Sequence, residues 1–168
     1  MRRFAFVLAT LFLAVLARAE AADAPAPSTF DTINRTDLMA LMQQAGLTSV
    51  SDGTTDEASP WLLGRMANDF PVVVRLYSCE AGVTGPQRHC PYLSFSVTWN
   101  NTKNTDTAAV NGYNAQKVFG RGGISADGKT VYIDYAVNLE GGVTSDHIVK
   151  NIAYFLVTVN DFTMSVNP

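Results

Sequence analysis

The sequence predicts an α+β fold, an antiparallel sheet with helices packed mainly on one face. Three observations predict it. Leu93, Phe95, Val97 and Trp99 alternate with Tyr92, Ser94, Ser96 and Thr98, the mark of a half-buried strand. Asp127-Gly128 between two apolar runs marks a tight hairpin and hence antiparallel pairing. The elements follow in the order helix, strands, helix, hairpin, helix, which implies an α+β arrangement.

The first element is a helix. Thr36 to Ala45 predicts it, capped by Thr36, with Asp37 favouring the positive end of the helix dipole. Leu38, Leu41, Met42 and Ala45 share one face. Gly46 ends this helix in a left-handed conformation, with Leu47 folding back as its apolar partner. Leu47–Val50 is a short strand and 52–60 a polar loop. Trp61–Met66 and Phe70–Cys79 are two strands joined by Ala67-Asn-Asp69. Pro91–Trp99 is the next strand, and Thr107–Phe119 a second helix that stops before Gly120. Gly122–Ala126 and Thr130–Leu139 form the hairpin. Thr144 caps a last helix, whose buried stripe is Ile148, Ile152, Phe155 and Val159.

The first residues read as a secretory signal. Arg2 and Arg3 precede an apolar run from Phe4 to Leu16, and Ala17-Arg-Ala19 and Ala19-Glu-Ala21 both fit a small-residue cleavage pattern. The run of 13 residues is well short of the roughly 20 that span a bilayer. Cleavage after Ala21 is favoured, with Ala19 the alternative. The expected organisation is a signal over residues 1–21, a flexible Ala/Pro-rich lead-in over 22–28, and one domain over 29–168. The expected location is periplasmic or secreted, without a membrane anchor after cleavage. Without residues 1–21, nine basic and fourteen acidic side chains remain. That acidic balance argues against nucleic acid and anionic membranes as partners.

Cys79 and Cys90 are the only cysteines, and they flank Glu80–His89 between two antiparallel strands. In an oxidising compartment this reads as a disulfide closing a hairpin, worth about 3 kcal/mol on a chain-entropy estimate. A metal pair and a redox-active thiol are the competing readings. The spacing is not Cys-x-x-Cys, and only His89 is near.

Little else suggests chemistry. His89 reads as an exposed bystander. Asp146 and His147 are adjacent on a helix, so they point about 100° apart and do not form an acid–base pair. Gly120-Arg-Gly-Gly123 comes after a helix and opens a strand, the reverse of a phosphate cradle. Asp52, Asp56 and Glu57 share a loop and read as solvated charge, with a weak calcium site as the rival. No catalytic residue, cofactor site or metal site emerges. Trp61, Tyr77, Tyr92 and Trp99 lie on or beside strands and read mainly as core or sheet surface. If several share an exposed sheet face, they form a peptide- or ligand-binding patch.

Several features in order resemble the YbjN domain family of bacterial proteins. They are the Asn111-x-x-Asn114 helix, Gly120 with its strand, the Asp127-Gly128 hairpin, Gly141-Gly-Val-Thr144 and the closing apolar helix. The Thr36–Gly46 helix and the paired-cysteine hairpin fit as well. The resemblance implies a fold like that of type III secretion chaperones. It also implies a regulator of sensory transduction with no assigned reaction, and it brings no catalytic residues. The functional expectation is a non-enzymatic periplasmic interaction module, chaperone-like or regulatory, with a protein partner or a homodimer. The alternative is a small-ligand-binding periplasmic protein with a closed pocket between sheet and helices.

Overall fold

Alternation along the strands sorts the side chains into two faces, and the helices cover only one of them. In the computed structural model, residues 28–166 and 168 are described. The expected signal over 1–21 and nearly all of the lead-in lie outside the described residues. The chain runs β1 (Thr29–Phe30), α1 (Arg35–Gln44), β2 (Thr48–Asp52), β3 (Trp61–Arg65), β4 (Pro71–Tyr77), β5 (Tyr92–Asn100), α2 (Thr107–Gln116), β6 (Arg121–Ile124), β7 (Thr130–Asn138), β8 (Val143–Thr144) and α3 (Ser145–Val166). Six strands form an antiparallel sheet in the order β2-β3-β4-β5-β7-β6, and β1 pairs with β8 in a small second sheet. The small sheet is an addition to what the sequence patterns suggest. The fold class is α+β with the helices on one face.

The register explains the core. Leu62 pairs with Val74, Val74 with Phe95, and Phe95 with Tyr135, so one row crosses four strands on the helix side. Leu62, Val74 and Phe95 are fully buried there. α1 lies against β2 and β3, α2 against β6, and α3 runs between them. The α3 stripe continues past Val159 through Phe162 to Val166. Phe162 sits over Gly122 of β6, where an added Cβ would come within 2.3 Å of the ring. It also meets Tyr113 of α2 edge to face at 4.9 Å. One aromatic ring thus joins two helices and an edge strand.

Two helix ends depart from the pattern-based reading. Asn34, not Thr36, caps α1: its side chain accepts from the Asp37 N–H at 2.9 Å. Asn34 also sits where β-bridge bonds between Ile33 and Cys90 bring the chain in extended, which sets the helix to start at Arg35. The far end of α1 matches the reading. Gly46 has φ +96, and the Leu47 and Gly46 N–H groups bond to Met42 and Gln43 carbonyls. α2 ends at Gln116, three residues before Phe119, because Lys117 turns to an extended conformation and its ammonium pairs with Asp161 at 3.0 Å. Asn114 then anchors the strand β6. Its amide donates to the Gly122 carbonyl at 2.9 Å and accepts from the Gly122 N–H at 2.8 Å. The side chain thereby pairs with Gly122 on the outer edge of β6 as a backbone strand would, covering part of that edge.

Candidate functional site

Cys79 and Cys90 are joined in a disulfide with Cα atoms 4.0 Å apart. Cys90 is buried and exchanges two backbone hydrogen bonds with Ile33, both 3.0 Å. The loop between the cysteines docks on the start of α1. Arg35 N–H donates to the Pro86 carbonyl at 3.1 Å, and Gln87 donates to Thr36 Oγ1 at 3.3 Å. His89 is half-buried, with Nδ1 3.2 Å from Thr32 Oγ1, so it belongs to this junction and is not an exposed bystander.

A buried arginine organises the same end of the molecule. Arg35 is 3% exposed. Its two terminal nitrogens donate to both Glu57 oxygens at 3.2 and 2.9 Å. Its Nε lies 3.0 Å from Asp52 Oδ2, close enough for charge pairing but with the N–H aimed too far aside for a hydrogen bond. The reading of Asp52 and Glu57 as solvated charge is therefore corrected: both neutralise a cation that burial would otherwise make costly. Asp56 does a different job, accepting from the Ala58 N–H in its own turn. Arg88 completes the junction by donating to carbonyls of Glu57, Cys79 and Glu80. The disulfide loop, the 53–60 loop and the α1 start are thus one polar assembly. Its charges pair within the fold, so it reads as structural.

This assembly carries a pH dependence with a definite sign. The hydrogen bond from Arg35 holds the Glu57 carboxyl below its ordinary range, outweighing the opposing effect of burial. A depressed folded value contributes stability above the unfolded glutamate value of about 4.3, and that contribution fades as pH falls through the folded value. The melting temperature of the wild type is expected to fall more steeply than that of Glu57→Gln below about pH 4.3. Parallel melting curves for the two proteins across that range contradict it. Asp134, pushed up by burial, acts with the opposite sign in both proteins and so cancels in the comparison.

The exposed apolar side chains are elsewhere. Among the described residues the large exposed ones are Tyr77, Val83, Val118, Phe119, Tyr154, Val157 and Met164. The last five all belong to the α2–β6 connection and the outer side of α3. Phe119 stacks on Tyr154 with centroids 5.8 Å apart and ring planes 4° from parallel. It also meets Tyr135 edge to face at 5.9 Å. Val157 lies one turn beyond Tyr154 and is 59% exposed, and Val118 is 83% exposed. Val118 and Phe119 lie on the segment that follows the end of α2 at Gln116, where Lys117 is extended.

The second face of the sheet has no helix on it. Trp61, Tyr77 and Tyr92 lie there, in register with Arg75 and Ser94. Trp99 has the opposite parity and packs inward against Phe162 at 5.7 Å and Phe70 at 5.9 Å. The Trp61 ring lies over Gly53, and the Tyr132 ring over Gly123. Three of the four aromatics noted in the sequence therefore share an outward face. Among the described residues, no three His, Cys, Asp or Glu side chains converge as a metal site requires. Asp146 binds Lys150 at 2.6 Å instead of His147.

The family model for YbjN, "Putative bacterial sensory transduction regulator", matches residues 34–166. This chain belongs to the YbjN family. The match spans α1 through α3, and with them the disulfide loop, the Asn114 edge contact and the Phe119 cluster. Neither the curated proteins nor the solved structures give a match. The YbjN description names a regulatory role and no reaction.

Proposed function

We propose that this YbjN protein is a non-enzymatic periplasmic interaction module, regulatory or chaperone-like, that docks a protein partner through the Phe119–Tyr154 cluster. The observation that carries this reading is the exposed Phe119–Tyr154 stack, with Val157, also exposed, one turn along α3 from Tyr154. Aromatic side chains held in a stacked pair are preordered for docking, and burying each large apolar side chain contributes about 1.5–3 kcal/mol. The disulfide fits an oxidising compartment. No helix among the described residues is long and apolar enough to cross a membrane. The small-ligand reading has weaker support. The cleft between α2 and the end of α3, lined by Ala108, Gly112, Tyr113, Gln116, Lys117 and Ser165, is formed largely by exposed residues and is not enclosed between sheet and helices.

Native pull-down from periplasmic extract tests the proposal when wild type is compared with a Phe119→Ser, Tyr154→Ser variant. A stoichiometric partner held by wild type and lost by a variant of unchanged melting temperature is the expected result. A partner retained by the variant contradicts docking through this cluster. A co-purifying small molecule in place of a protein favours the ligand reading.

A further inference from the structure

Sulfur chemistry in this chain narrows to one side chain. The sequence holds two cysteines and five methionines. Both cysteines are joined in the Cys79–Cys90 disulfide. Met1 lies outside the described residues. Met42 is fully buried under α1, where a Cβ added to Gly64 of β3 would come within 3.1 Å of its terminal methyl. Met66 is buried just past β3, and Met39 is half-buried against the core. Met164 is 77% exposed, so among the described residues it presents the one open thioether.

Its place in α3 explains the exposure. Met164 is two residues past Phe162 and two before Val166, both buried, so it lies on the opposite side of the helix from both. Its neighbours one turn back are Asn160, exposed, and Asp161, which is paired with Lys117 at 3.0 Å. Neither offers an apolar surface for a long thioether to cover. A side chain that buries so little contributes little to folding, and making it polar removes little. The same change at Met42 would set an unpaired S=O dipole in the core, which destabilises.

We propose that Met164 is a reversible oxidation site, converted to the sulfoxide by a peroxide with the fold intact. In that step the sulfur lone pair attacks one peroxide oxygen. The S–O bond forms as the O–O bond breaks, and sulfur gives up two electrons. The displaced hydroxide takes the proton of the transferred oxygen and leaves as water. A methionine sulfoxide reductase with a dithiol reverses it: the two thiols become a disulfide and the oxygen leaves as water. Thiolate oxidation does not compete, because the chain has no free cysteine. Position 164 is seven residues beyond Val157, two turns along the same side of α3. Oxidation there places a strong hydrogen-bond acceptor on the outer side of the helix without moving the core. The site stands on exposure and sulfur chemistry, so it holds or fails independently of docking at the Phe119 cluster.

Limited oxidation of the purified protein with hydrogen peroxide, followed by peptide mass mapping, tests this. The sulfoxide is expected at Met164 at least about tenfold faster than at Met39, Met42 or Met66. Protein carrying this one oxygen should keep the wild-type melting temperature. Methionine sulfoxide reductase with dithiothreitol should return the peptide to its unoxidised mass. Met164→Leu, a change of similar volume at an exposed position, should lose the fast phase and leave the slower ones. Equal rates at Met164 and a buried methionine, a lowered melting temperature on oxidation of Met164 alone, a sulfoxide the reductase does not remove, or a fast phase that survives Met164→Leu overturns the proposal.

Discussion

Phe155→Ala is expected to destabilise the protein by about 3–5 kcal/mol, the range for removing a buried phenylalanine side chain. Phe155 is 1% exposed and lies in the middle of α3, with its ring 5.9 Å from that of Phe95 on the central strand β5. Ile148, Ile152, Val159 and Phe162 line the same stripe and are all fully buried. The cavity left by alanine would open between helix and sheet, where the neighbouring Phe162 is held over Gly122 and cannot easily fill it. Since domains are stable by only about 5–15 kcal/mol, the loss is a large share of the total. Thermal or urea unfolding measures it. A variant that melts like wild type but has lost a partner would make this stripe a docking surface instead of core.

Cys90→Ala is expected to cost about 2–5 kcal/mol, the usual penalty for losing a native disulfide in a small secreted domain. Two effects combine. The unfolded chain regains the freedom of the loop Glu80–His89, and the folded chain loses a covalent tie beside a buried residue. The loop carries Pro86, Gln87 and Arg88, which hold the start of α1 and the 53–60 loop, so their contacts should loosen together. Melting curves of wild type and variant, with intact mass before and after reduction and alkylation, read both the stability and the bond. Unchanged melting combined with loss of partner binding would instead assign the cysteines a direct functional role.

Strands and their faces are legible in the sequence because alternation survives in any half-buried sheet. The stripe Ile148–Val159 is legible for the same reason, since a helix that buries one side must repeat its apolar residues. Gly46, Asp127-Gly128 and Thr144 speak through local backbone chemistry: Gly46 and Gly128 have positive φ, and Thr144 accepts from the His147 N–H at 3.1 Å. Long-range polar pairing leaves no such trace. Arg35 begins a helix like any solvent-facing arginine, and its partner Glu57 is 22 residues away. The Phe119 cluster is hidden because it depends on where α2 stops. Asn114 and the Lys117–Asp161 pair decide that, both through contacts outside the helix. Trp61 and Trp99 sit in similar strand-like surroundings, both half-buried, and only the register places one on the outward face and the other against the core.

In vivo photo-crosslinking tests the interaction-module account most directly. A photoreactive amino acid replaces Val157, one turn along α3 from Tyr154, or Val83, which is 40% exposed in the disulfide loop. The account predicts a discrete crosslink to a periplasmic protein from position 157, abolished by Tyr154→Ser, and none of that mass from position 83. No crosslink from position 157, or the same product from both positions, would contradict it.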